Sequence, residues 1–107
     1  MTLRLFVLGA VLLVSSAAHA QDNDPVVTSM QAWFACGVNY VEAQMGTSAD
    51  PVKTLATDGL MQCKAERDAY DAAMKAANAE WTAEQQAHGL QATQDMLAQK
   101  MAAHYGE

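Results

Sequence analysis

Two cysteines, Cys36 and Cys63, constrain this chain more than any other feature, because they stand on either side of a single turn signal. That signal runs from Gly46 through Thr47-Ser48-Ala49 to Asp50-Pro51. Upstream, Val27, Met30, Phe34, Val38, Val41 and Met45 recur at spacings of three and four, the stripe of an amphipathic helix. Asp24-Pro25 offers it an N-cap residue followed by proline at the first helical position. Downstream, Asp50-Pro51 repeats the start signal. Val52, Ala56, Leu60, Cys63, Tyr70, Met74 and Ala77 then share one face, interrupted by Arg67. Cys36 lies ten residues before Gly46 and Cys63 thirteen after Asp50. At about 1.5 Å of rise per residue the two reach nearly the same height in an antiparallel hairpin. A short loop then brings their α-carbons within the ~7 Å that a disulfide needs. The expected fold is all-α: a disulfide-linked antiparallel αα-hairpin with a third, weaker C-terminal helix.

Metal binding by the two thiolates is the rival use of the pair. It needs further ligands nearby, and neither cysteine has a neighbouring His or a CxxC spacing. An even cysteine count in an oxidising compartment points instead to a disulfide. Closing a loop of this size stabilises a fold by roughly 3 kcal/mol on chain-entropy grounds.

The compartment follows from the first twenty residues, MTLRLFVLGAVLLVSSAAHA. Arg4 precedes an apolar run from Leu5 to Val14, and small residues lead to Ala18-His19-Ala20. This is the layout of a secretory signal peptide cleaved after Ala20. A membrane anchor is disfavoured, because crossing hydrocarbon takes about 20 apolar residues. No cysteine follows the run to carry a lipid, so no membrane anchoring is expected after cleavage. The signal is short, as in bacteria, and the expected location is periplasmic or secreted.

Residues 21–107 are then one small helical domain. Residues 21–24 are a polar lead, 25–88 the helical hairpin and 89–107 a C-terminal helix or arm. With 5 basic and 12 acidic side chains the exported part carries −7, which disfavours nucleic acid and anionic lipid. It holds only 21 large apolar residues, and a domain so small often needs a staple. Residues 75–88 are good helix formers without a breaker, so the second helix can run on to Gly89. Leu90, Leu97, Met101 and Tyr105 then make a thin stripe for a third helix. At about 100° per residue, Cys36 points away from Phe34 and keeps company with Trp33 and Tyr40. The first helix is therefore apolar on two faces. The Cys36 face goes to the second helix through the disulfide, and the second face, that of Phe34, needs the C-terminal segment, another copy or a partner to cover it.

Chemistry-bearing patterns are sparse. Glu84 and His88 share a helical face, a spacing that ordinarily supports a helix. The exported methionines occupy stripe positions such as Met30, Met45, Met74 and Met101, which suits core or interface better than copper. Asp68 and Asp71, with Glu66 nearby, lie among Lys64, Arg67 and Lys75 as a solvated face laced with ion pairs. There is no GxSxG, HExxH, phosphate-binding glycine loop or CxxCH. No catalytic residue, resident metal or cofactor is expected. The exported protein is expected to bind another protein, or itself, in the manner of an inhibitor, immunity protein or chaperone. The likeness to small exported acid-stress chaperones and toxin-neutralising immunity proteins is one of size and class. Trp33, Tyr40, Met74 and Trp81 are the candidate partner contacts, since aromatics and Met are enriched in contact patches. Each of them could equally fill the core. A small-ligand or metal carrier using the groove between helices is the alternative. Terminal sequencing of exported protein should find Gln21 first; an intact Met1 would defeat the cleavage assignment.

Overall fold

The computed structural model describes residues 24–105. The signal peptide and most of the polar lead, expected over 1–24, lie outside the described residues. Among the described residues there are four α-helices and no strand: α1 (Pro25–Met45), α2 (Val52–Gln62), α3 (Lys64–Ala77) and α4 (Ala83–His104). No helix among them is long and apolar enough to cross a membrane.

α1 starts as its sequence dictates. The Asp24 carboxylate accepts the Val26 N–H at 2.9 Å, and Pro25 opens the helix. Gly46 ends it in a right-handed conformation (φ −80°), so glycine's access to positive φ is not what stops the helix. The N–H groups of Thr47 and Ser48 close the end by donating back to the Gln44 carbonyl. Asp50 does not cap the next helix. Pro51 takes the cap position of α2 with no side-chain hydrogen bond, and the Leu55 N–H donates to its carbonyl.

The disulfide is present: Cys36 is bonded to Cys63, with α-carbons 6.1 Å apart. Along α1, Trp33 meets Tyr70, Cys36 joins Cys63, and Tyr40 packs on Gly59. Partner numbers fall as those of α1 rise, which is the order of an antiparallel pairing. The glycines let the helices come this close. A Cβ on Gly37 would sit 2.8 Å from Leu60 and 3.0 Å from Met101. A Cβ on Gly59 would sit 2.7–3.0 Å from the Tyr40 ring and its Cβ.

Three sequence expectations are corrected. The second helix does not run unbroken from 51 onward; it breaks at Cys63, whose ψ of 57° ends α2 and begins α3. Nor does it reach residue 88. α3 stops at Ala77, where Asn78 turns its backbone N–H and its side-chain amide onto the Met74 carbonyl. Gly89 is not a stop but lies inside α4, which begins at Ala83 rather than after Gly89. Thr82 and Gln85 form a capping box at that start: each side chain takes up the other's backbone N–H, at 3.2 and 2.9 Å.

α4 is thus longer than the expected third helix. It supplies Leu97, Ala98 and Met101 to a core that also holds Trp33, Val41, Leu55, Ala56, Leu60, Cys63 and Tyr70. It packs along α2, with only light backbone contact to α1.

The two glycine environments generate a contrast. Gly59→Ala gains about 1 kcal/mol of helix propensity but drives a methyl into the stiff base of Tyr40, so a net loss of about 1–2 kcal/mol is expected. Gly46 has ordinary φ and open space around it, with nothing within 4 Å of where a Cβ would lie. Gly46→Ala should therefore stay within about 0.5 kcal/mol. Urea unfolding that ranked the two substitutions the other way would refute this account of the α1–α2 approach.

Candidate functional site

Among the four candidate contacts, Trp33 is wholly buried. Its indole N–H donates to the Leu60 carbonyl at 2.8 Å, and its ring lies 5.6 Å from that of Tyr70, tilted by 36°. In an unbroken helix the Leu60 carbonyl would accept the Lys64 N–H. The break at Cys63 releases that acceptor, and Trp33 takes it up. Trp33 is therefore a core residue and not a surface one.

The other three are half-buried. The Tyr40 ring lies on Gly59, and its hydroxyl accepts from Gln62 at 3.3 Å. The Trp81 ring lies against Gly89, where an added Cβ would be 3.0 Å from it, with the Met74 methyl beside it. Tyr40 and the Trp81–Met74 pair thus sit on different helix junctions and form no single patch.

A groove that the sequence did not single out lies between α1 and α4. Met30, Gln31 and Phe34 form one wall, Leu97 and Lys100 the other. Met30 and Phe34 are half-buried there, on the second apolar face of α1. The phase of Phe34 relative to Cys36 is the sequence signal that points to it. Met45, Met61 and Met96 are exposed elsewhere.

The α3–α4 interface is polar. Arg67 Nε donates to Gln94 at 3.3 Å, and Tyr70 and Thr93 hydroxyls are 2.8 Å apart. Since the Thr93 hydroxyl donates to the Gly89 carbonyl, the Tyr70 hydroxyl is the donor to Thr93. Gln86 Nε2 donates to both the backbone and the carboxylate of Asp71. Gln86 and Gln94 are buried, although neither belongs to an apolar stripe. The acidic face is laced with ion pairs, Lys64–Asp68 at 3.0 Å and Lys75–Asp71 at 3.6 Å.

At the far end of α4 the Tyr105 hydroxyl donates to Glu42 of α1 at 2.9 Å. Desolvation first, then the hydrogen bond and negative charge of Glu42, hold this phenol above its ordinary value of 10.0. The contact therefore persists at neutral pH and is lost as pH rises through the raised value. Glu84 and His88 are both exposed on α4, and among the described residues no third metal-ligating side chain joins them.

One carboxylate has a neighbourhood that its place on a solvated face does not suggest. Glu66, one turn after Cys63, brings an oxygen to within 4.8 Å of both cysteine sulfurs. Its signal in the sequence is the i, i+3 spacing from Cys63, which falls on one helix face.

No protein-family model matches this chain, and no characterised protein or solved structure resembles it at a significant level.

Trp33→Phe keeps an aromatic ring but leaves the buried Leu60 carbonyl without its donor, an expected loss of about 1–3 kcal/mol. Tyr70→Phe removes a half-buried hydroxyl contact and should cost about 0.5–1.5 kcal/mol. Equal losses in chemical unfolding would show that the indole N–H is not the anchor.

Proposed function

We propose that the protein is exported and acts, without catalysing a reaction, by binding another protein through the α1–α4 groove. The observation that carries this reading is the groove itself. Met30, Phe34 and Leu97 offer an apolar floor, and Gln31 and Lys100 offer polar rims. Apolar side chains inside a polar rim are the make-up of a contact patch, and Met adapts to varied partners. Lys100 gives one wall a positive charge on an otherwise acidic chain, which suits an apolar segment carrying a carboxylate. Tyr40, Met74 and Trp81 remain secondary contacts at the edges of the molecule, whereas Trp33 supports the fold from within. Release from a signal peptide after Ala20 would place this surface in the periplasm or the medium.

A photo-reactive phenylalanine analogue at position 34, in the full-length protein expressed in its source cell, tests the reading. Discrete adducts to another protein are expected from position 34 and not from Asn39, an exposed position on the same helix. Equal labelling from both positions, or no adduct from either, would overturn it. Native mass spectrometry showing a small molecule or metal retained by the oxidised protein would favour the carrier alternative instead.

A further inference from the structure

We infer that opening the Cys36–Cys63 bond creates a zinc-class metal site made by Cys36, Cys63 and Glu66. The three ligand atoms already lie within 4.8 Å of one another. Cys63 is buried and the other two are half-buried, so the cluster is partly shielded yet reachable from solvent. Among the described residues, the Glu66 carboxylate makes no hydrogen bond or ion pair, although Lys64 and Arg67 flank it in sequence. Those two cations are engaged by Asp68 and Gln94.

The dimensions fit. Two thiolates bound at about 2.3 Å in a tetrahedron stand about 3.8 Å apart. The sulfurs need only part along the line they already share, while the α-carbons, at 6.1 Å, stay in place. A carboxylate oxygen at about 2.0–2.2 Å completes three protein ligands, leaving the fourth position to water. Two thiolates favour zinc over calcium or magnesium, which prefer all-oxygen sites. The Cys63 thiolate would stand at the N-cap of α3, one turn before Glu66. A bound dication also removes the repulsion between that thiolate and Glu66.

The chemistry balances in two steps. A phosphine reductant gives two electrons to the disulfide and becomes the phosphine oxide, with water supplying the oxygen and the two protons that leave two thiols. The metal dication then displaces both thiol protons to solvent as it binds. Cross-link and metal are mutually exclusive, and either one ties α1 to the α2–α3 junction.

The test uses Zn²⁺ and Co²⁺ with full-length protein, oxidised and phosphine-reduced. Expected results are one Zn²⁺ per monomeric reduced chain, none on the oxidised chain, and the visible spectrum of four-coordinate Co²⁺. Glu66→Gln should weaken Zn²⁺ binding at least tenfold in competition with a chromophoric chelator. Asp68→Asn, five residues after Cys63 on the same helix and exposed, should leave it unchanged. Far-UV circular dichroism of the reduced protein should show helix retained or restored by Zn²⁺. Equal affinity in wild type and Glu66→Gln, a metal shared between two chains, or reduced protein that neither folds nor binds would each overturn the site.

Discussion

The hydrogen bond from the Trp33 indole to the Leu60 carbonyl is the contact on which the rest of the structure depends. A helix break in the middle of a small core leaves backbone groups without partners, and a buried orphan carbonyl costs about 1–3 kcal/mol. Trp33 removes that cost from across the interface, which ties the position of α1 to the position of the break. The disulfide secures the same place covalently through Cys63, the residue at which α2 becomes α3. Leu60 also fills the space above Gly37, where α1 has no side chain of its own. Kink, cross-link and close approach are therefore one feature seen through three residues.

That feature explains how far the sequence could be read. The stripe from Val27 to Met45, the cap at Asp24 and the cysteine pairing follow from periodicity and height alone, and the structure has them. The break at Cys63 does not follow, because nothing in Gln62-Cys63-Lys64 lacks helix propensity. The break exists because tertiary partners, Trp33 and Cys36, reward it. Gly89 is no stop for a related reason. A glycine inside a helix costs about 1 kcal/mol, and here the gap above it admits the Trp81 ring. The start of α4 was legible, since Thr82-Ala83-Glu84-Gln85 has the spacing of a capping box. Its cue lay in polar residues, and an apolar stripe does not register those.

The seating of α4 had no comparable cue. Its contacts with α3 run through Gln86, Gln94 and Thr93, which a hydrophobic pattern assigns to solvent. Burying an amide is tolerable where its hydrogen-bonding groups are met. From the facing helix the Asp71 carboxylate accepts from Gln86 Nε2 and the Arg67 guanidinium donates to Gln94 Oε1, while Gln86 Oε1 stays buried without a partner among the described residues. The acidic face read as solvated is thus half correct. Lys64 and Asp68 stay at the surface, whereas Asp71 turns inward far enough to hold Gln86.

The same seating decides where apolar surface is left over. Met101 is drawn to the gap above Gly37, and α4 lies along α2 with only light backbone contact to α1. The Tyr105–Glu42 contact fastens its far end to α1 near Val41, the buried end of the α1 stripe. N-terminal to both points, α1 keeps Met30 and Phe34 at the lip of a groove. A core with few large side chains gains most by concentrating them where two glycines admit close packing. The half-covered face of α1 is the geometric consequence of that concentration, and the proposed protein partner would supply its missing cover there.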